Sequence, residues 1–506
     1  MMARLTALPL FVLLMGIGAV AMLLPALHSV VARGDVATAR AFVGAAGFAL
    51  VLTTVLGLAT QGYDPRNVPR SQLTALLAAF AALPVMFAVP FYTALGTTTF
   101  LDAWFEMVSS FTTTGATTYD NAGRLSSTLH LWRALVGWLG GLLVWITALA
   151  ILAPMNIGGF EVRARGRSGQ GGGGHTGSQQ FTDPAERLAR YGAMLAPVYA
   201  LLTLALFVAL LVVGEVPIVA ISHAMSVMAT SGISPVGGMQ YAASGIWGEM
   251  IVFCFLFFAL SRLTFSAGLF RDDSVSLGRD PELRLGVILV VLVPGFLLLR
   301  HFLGAAEGQD GTLNEALHAL WGGAFTVLSF LTTTGFESFD WLEARDWSGL
   351  ETPGLILVGL SLIGGGVATT AGGVKLLRVY ALAMHGEREL DRLIHPHSVG
   401  GGGAEARRIR RQGAYISWIF FMLFALSIAA VMLALTLTGV QFETAMVLAV
   451  SAISTTGPLA EVAAETPISF SGIPDTAKAI LAATMVLGRL ETLAIVALFN
   501  PEIWRN

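Results

Sequence analysis

Charge is scarce in this sequence. Asp, Glu, Lys and Arg make up 12% of its 506 residues, about half the roughly 25% of an ordinary soluble domain. That excludes a water-soluble globule. Net charge is small as well, at −3, and no nucleic-acid partner is expected. Cysteine is nearly absent. Cys254 stands alone in the run Ile251-Val252-Phe253-Cys254-Phe255, which excludes an intramolecular disulfide and reads as a small core residue. Short alternating strands are missing. The apolar runs reach about 20 residues, against roughly ten in a barrel strand, which excludes a transmembrane β-barrel. Catalytic signatures are lacking: there is no GxSxG elbow and no acid–base–nucleophile set. The histidines (28, 130, 175, 223, 301, 318, 385, 395 and 397) show no HExxH or other metal spacing. No organic cofactor is expected.

What remains is apolar, at 55% hydrophobic residues and mean hydropathy +0.73. The fold class is therefore an all-α polytopic membrane protein. Ten full spans are expected. Two N-terminal spans, about 7–30 and 39–60, fill residues 1–65. The first is retained rather than cleaved, because it is long and no small-x-small site follows it. Four units follow, at 66–160, 187–275, 276–384 and 412–506, with linkers at 161–186 and 385–411. Each unit reads as span, short apolar helix, Thr/Ser-rich loop, span. The short segments, 98–111, 217–228, 313–330 and 441–453, suit re-entrant half-helices rather than spans.

The loops after those segments carry the chemistry. They are Thr112-Thr113-Thr114-Gly115-Ala116, Ala229-Thr230-Ser231-Gly232-Ile233, Thr332-Thr333-Thr334-Gly335-Phe336 and Ser454-Thr455-Thr456-Gly457-Pro458, with successive glycines 117, 103 and 122 residues apart. Extended backbone at membrane depth is tolerated only where protein or a cavity covers it. Four loops at near-regular spacing predict a pore whose carbonyls replace an ion's water shell. Half-helices aim their C-terminal partial negative charge at that ring, which favours a cation. Backbone oxygens around Thr113, Thr114, Gly115, Thr230, Ser231, Gly232, Thr333, Thr334, Gly335, Thr455, Thr456 and Gly457 are the expected ligands.

Two further features lie at membrane depth. The stretch Ile363-Gly364-Gly365-Gly366-Val367-Ala368-Thr369-Thr370-Ala371-Gly372-Gly373-Val374-Lys375 must break the second span of unit three. Broken helices in membranes mark sites or gates. It is no P-loop, since Lys375 follows Val374 and no Ser or Thr comes after it. Arg489, in Gly488-Arg489-Leu490-Glu491, is costly in a span unless paired or wetted. It reads as a charge that repels ions or holds a constriction, or as an ion pair with Glu491 or another acid.

Basic residues orient the chain. With an inside N-terminus, 21 of the 29 Lys and Arg fall on the cytoplasmic side, so both termini are expected in the cytoplasm and the four loops on the outer side. Acids gather at that outer mouth: Asp120, Glu307, Asp310, Glu337, Asp340, Glu343, Asp346, Glu461 and Glu465. The Gly-rich stretches at 166–177 and 399–404 read as flexible linkers. No strand precedes the first, which excludes a dinucleotide site.

These motifs resemble the superfamily of K+ transporters that includes the Trk, Ktr and HKT proteins, most closely the Trk pore-forming type. Trp138-Leu139-Gly140-Gly141, the Gly-rich break and Gly488-Arg489-Leu490-Glu491 carry the likeness, as do the two extra N-terminal spans. The resemblance implies K+ uptake across a bacterial inner membrane, with Rb+ as a surrogate. Gly115, Gly232, Gly335 and Gly457 would be filter glycines. Retention of Gly115 implies K+ rather than Na+, since serine there goes with Na+ selectivity in plant relatives. Gly364, Gly365, Gly366, Thr369, Thr370, Gly372, Gly373 and Arg489 would form the gate below. It further implies a homodimer and a separate cytosolic ring of nucleotide-binding RCK-type subunits. Two alternatives stay open: an H+- or Na+-coupled symporter, with Glu106 and Glu443 as candidate acids, and an intramembrane enzyme.

Overall fold

The computed structural model describes residues 9–62, 68–155, 157–162, 184–261, 280–304, 313–348, 353–395, 411–464 and 466–491. Most of both Gly-rich linkers, together with Glu307, Asp310 and Glu465, lies outside these. Among the described residues all regular structure is helical. The helices are α1 (Leu10–Ala21), α2 (Leu23–Arg33), α3 (Val36–Ala59), α4 (Val68–Leu95), α5 (Phe100–Phe111), α6 (Ser127–Thr147), α7 (Pro184–Val212), α8 (Pro217–Ala229) and α9 (Gly245–Leu256). After them come α10 (Pro281–Gly304), α11 (Leu313–Leu331), α12 (Trp341–Ser348), α13 (Gly354–Ile363), α14 (Leu376–Ile394), α15 (Arg411–Thr436), α16 (Phe442–Ile453), α17 (Leu459–Val462) and α18 (Asp475–Leu490).

Among the described residues, seven stretches are long and apolar enough to cross a membrane: Leu10–Arg33, Val36–Ala59, Arg70–Leu95, Ser127–Met155, Arg187–Val212, Pro281–Arg300 and Gly413–Thr436. Within the described residues the other three of the ten expected spans are shorter. The helix Gly245–Leu260 tightens into a 3₁₀ turn at its end. At Gly364 the chain leaves α13 with φ +72°. α18 ends at the limit of the described residues.

The short helices have sequence-encoded starts. Thr99 caps α5, its hydroxyl accepting from the Asp102 N–H at 3.1 Å. Pro217 opens α8, where its missing N–H costs nothing. Glu443 stands in the first turn of α16. α5, α8 and α16 are then buried along almost their whole C-terminal halves, unlike α3, whose exposed Phe48, Val51 and Leu58 form a peripheral face. Cys254 corrects an expectation. It is exposed on α9, not buried, and a small apolar thiol suits a face turned toward lipid as well as it suits a core.

Candidate functional site

The four Thr/Ser-rich loops begin alike. Each short helix ends in a residue of left-handed backbone: Thr113 (φ 55°), Thr230 (φ 50°), Thr333 (φ 57°) and Thr455 (φ 54°). The following N–H then reaches back into the last helical turn. Thr114 N donates to Ser109 O, Ser231 N to Ser226 O, Thr334 N to Ser329 O and Thr456 N to Ser451 O, all at 2.8–2.9 Å. A β-branched residue in this region costs roughly 1–3 kcal/mol and persists only where its surroundings over-determine it. Finding it four times marks the loops as built features.

Hydroxyls brace each turn. Thr112 Oγ1 meets Thr114 Oγ1 at 2.8 Å, Thr332 Oγ1 meets Thr334 Oγ1 at 3.1 Å, and Ser454 Oγ donates to Thr456 Oγ1 at 3.3 Å. The second loop has Ala229 at that position and substitutes Ser231 Oγ donating to Ser226 Oγ at 3.2 Å.

The loops close into a ring. A side chain added at Gly115 would meet the Ser231 carbonyl oxygen, one at Gly232 the Thr334 oxygen, one at Gly335 the Pro458 ring, and one at Gly457 the Ala116 nitrogen. So loop one abuts two, two abuts three, three abuts four, and four returns to one. The fourth loop departs from the pattern. Gly115, Gly232 and Gly335 have positive φ, but Gly457 does not. Its N–H donates to Thr114 O at 2.6 Å, and Pro458 leans toward both Gly232 and Gly335. One expected ring carbonyl is therefore engaged by a neighbouring loop.

Behind the ring, the residue seven before each left-handed Thr ties the loop's far limb to its helix. Glu106 accepts from Thr118 N (2.6 Å) and Thr117 Oγ1 (2.8 Å), and its other oxygen lies 2.8 Å from Arg133 Nε. His223 Nε2 meets Ser234 Oγ at 2.8 Å, and Thr326 Oγ1 accepts from Ser338 N at 3.2 Å. The fourth position is Leu448. There Ser451 Oγ reaches the Thr456 and Gly457 carbonyls instead, at 3.0 and 3.3 Å. Glu106 thus anchors loop one and pairs with a cation. Glu443, the other candidate coupling acid, is exposed in the first turn of α16.

The Gly-rich stretch crosses under the ring as a strap. Thr370 Oγ1 donates to Met228 O (3.2 Å), Gly372 N donates to Thr333 Oγ1 (2.7 Å), Gly372 lies against Ser454 O, and Val367 packs on Gly159. It touches elements from all four quarters. Its shape is held from outside: Val367 N donates to Glu282 Oε1 at 2.8 Å and Gly366 N to Ala259 O at 3.0 Å. The strap brings Gly364, Gly365, Gly366, Thr369, Thr370, Gly372 and Gly373 together, all of them buried.

Arg489 lies alongside. Its neighbour Gly488 abuts the Ile453 carbonyl, the last of α16. The guanidinium is buried, with Nε and Nη2 lacking any hydrogen-bond partner. The expected pairing with Glu491 is not the one seen. Glu491 instead takes Arg378 Nη2 at 2.8 Å, and Arg378 also stacks 3.7 Å over the Phe420 ring. Sequence reasoning missed Arg378 and Glu282, and gave no structural part to Lys375, whose ammonium donates to Ala371 O inside the strap. The available signal was a buried lysine within a glycine run.

The Trp138-Leu139-Gly140-Gly141 motif has a packing cause. Gly140 lies against the Phe111 carbonyl ending α5 and Gly141 against Ala229 ending α8, so α6 passes between two helix ends where a side chain would collide.

At the rim, where the short helices begin, Glu337 follows loop three and Glu461 sits on α17. Burial, and then the Glu461 charge, push the Glu337 carboxyl up to about 7, with Arg345 opposing. Burial and then Asp120 raise Glu461 as well.

A family model described as TrkH, cation transport protein, matches residues 40–267 and 274–505. The Trk system potassium uptake protein TrkH of Salmonella typhimurium is 30% identical over 490 residues, 96% of each chain. That of Vibrio parahaemolyticus is 31% identical over 417 residues, 80% of each. The crystal structure of the potassium transporter TrkH from Vibrio parahaemolyticus superposes over 100% of both chains, with a TM-score of 0.81 at 26% identity.

Proposed function

The chain belongs to the TrkH family of cation transport proteins, and from that premise we propose that it moves K+ through the ring of four loops. The observation that carries this reading is the closed cycle of loop contacts, built on four identically ended helices. Four helix C-termini converge on the ring and supply partial negative charge. Backbone oxygens of residues 113–115, 230–232, 333–335 and 455–457, apart from those of Thr114, Thr456 and Gly457 that already accept hydrogen bonds, then replace the ion's hydration shell. The Thr113 and Thr455 hydroxyls suit the same task, since both are buried and have no hydrogen-bond partner. The relatives named as potassium uptake proteins support K+ as the cargo.

The strap at 364–373 acts as the gate, with Arg489 beside it. A buried cation near the path opposes the approach of another cation until the strap moves. Passage is uncoupled in this reading, because Glu106 is committed to Arg133 and to loop one, and Glu443 lies at an exposed helix start. The charge bias of the sequence supports both termini in the cytoplasm, and the bacterial relatives support a bacterial inner membrane. A homodimer and a cytosolic ring of nucleotide-binding RCK-type subunits complete the proposal.

The test is ⁸⁶Rb+ uptake into liposomes holding the purified protein. Uptake blocked by K+ but not by Na+ is expected. Equal block by both ions would overturn the selective ring.

A further inference from the structure

We propose that His318, Asp340 and Glu343 form a binding site for a transition-metal dication of the Zn2+ type, on the rim of the third loop. Their ligand atoms lie within 4.8 Å of one another, and His318 Nδ1 stands 3.0 Å from Asp340 Oδ2. His318 is 22 residues from Asp340, and ordinary geometry brings them together. His318 and Gly322 are four apart on α11 and therefore share a face. A side chain at Gly322 would meet the Asp340 carbonyl carbon and oxygen, so that glycine lets the Asp340 backbone lie directly on α11, one turn below His318. Asp340 and Glu343 are three apart at the start of α12 and share a face in turn.

The frame is rigid. Glu249, buried on α9, accepts from Trp321 Nε1 (3.0 Å), Ser338 Oγ (2.7 Å) and Phe339 N (2.6 Å). It thereby locks the segment before Asp340 onto α11. Asp340 itself is 7% exposed, and Trp341 beside it is 1% exposed. Asp340 is thus fixed, whereas the His318 side chain is 40% exposed and Glu343 is exposed on the surface, so both can adjust around an ion.

The donor set selects the ion. Zn2+ takes imidazole nitrogen and carboxylate oxygen at about 2.0–2.2 Å in a tetrahedron, which puts neighbouring ligand atoms about 3.3 Å apart. The His318–Asp340 pair is already close to that spacing. One imidazole with two carboxylates leaves a fourth position for water. Ca2+ wants six or more oxygens, and Mg2+ an octahedron of oxygens and waters, so neither suits a single imidazole with two acids. Binding replaces the proton shared by His318 and Asp340, so it weakens at low pH. The ion would clamp α11 to the segment after loop three. Its consequence for transport rests on the ring reading above, whereas its binding does not.

The experiment is ⁶⁵Zn2+ binding to the full, tag-free chain in detergent, with transport measured separately. One site per chain is expected, with affinity reduced at least tenfold in His318→Gln and severalfold in Glu343→Gln. Millimolar Ca2+ or Mg2+ should not displace the zinc. Both variants should match the parent in elution and metal-free thermal unfolding, and Glu343, being exposed, guards against a folding artefact. No stoichiometric zinc, affinity unchanged in both variants, or equal displacement by Mg2+ would overturn the site. Zinc binding with no effect on Rb+ uptake would keep the site and remove its link to the ring.

Discussion

Replacing Gly115 with serine should convert a selective ring into an indifferent one. Gly115 has φ +77°, and a Cβ there would sit 1.9 Å from the Ser231 carbonyl oxygen, where real contacts stop near 3.0 Å. Loops one and two must therefore part by about 1.1 Å, more than the difference in ionic radius between Na+ and K+. A left-handed side chain adds roughly 1–2 kcal/mol of strain. The ring survives the strain but loses its spacing. We expect the Rb+-over-Na+ preference in proteoliposomes to fall at least tenfold, a loss of about 1.4 kcal/mol of discrimination. Gly214→Ala is the internal control. Its φ is +90°, yet nothing lies within 4 Å of the added carbon. It should cost about 1 kcal/mol in stability and leave the preference untouched. A Gly115→Ser protein that folds normally and keeps its preference would refute the carbonyl-ring reasoning. Equal loss in both variants would refute it too, by making strain rather than spacing the cause.

Three other outcomes follow from the geometry. Arg489→Ala removes a buried charge; taking a unit charge at about 10 Å and an effective dielectric near 20, its opposition to a cation is worth about 1.7 kcal/mol. Basal ⁸⁶Rb+ flux should therefore rise roughly tenfold, and an unchanged flux would remove Arg489 from the gate. Glu337 is protonated below about 7 and charged above it, so the attraction of the rim for cations is present at alkaline pH and lost on acidification. The KM for Rb+ should rise roughly threefold to tenfold between pH 8 and pH 6, and Glu337→Gln should flatten that profile at its acid-side value. Glu106→Leu strands Arg133 in a buried site and frees the far limb of loop one. It should lower stability by about 3–5 kcal/mol, measured by thermal unfolding in detergent. A loss below 1 kcal/mol would mean the pair is not structural.

Spans, half-helices and loops were legible in the sequence because each is a local pattern of apolar length followed by hydroxyls and glycine. α5, α8 and α16 begin and end within two residues of the expected bounds. The loops' interior was not legible. Threonine takes the first left-handed position in all four loops, and no propensity rule would choose a β-branched residue there. Closure of the ring depends on contacts more than 100 residues apart, as does the Arg378–Glu491 pair, and the Glu249 hub grips the segment after the third loop from 89 and 90 residues away. Arg489 was located correctly as a costly buried charge; of the partners considered for it, Glu491, just past the end of its helix, pairs instead with Arg378. Cys254 was misread for a related reason. Apolar surroundings in sequence do not distinguish a core face from a lipid face.

The central claim is that cations occupy the ring formed by residues 113–115, 230–232, 333–335 and 455–457. Anomalous diffraction from crystals equilibrated in Rb+ tests it most directly. Peaks are expected on the ring axis, within coordination distance of backbone oxygens from all four loops and above the 364–373 strap. Rb+ peaks elsewhere along the path, with none inside the ring, would contradict the account.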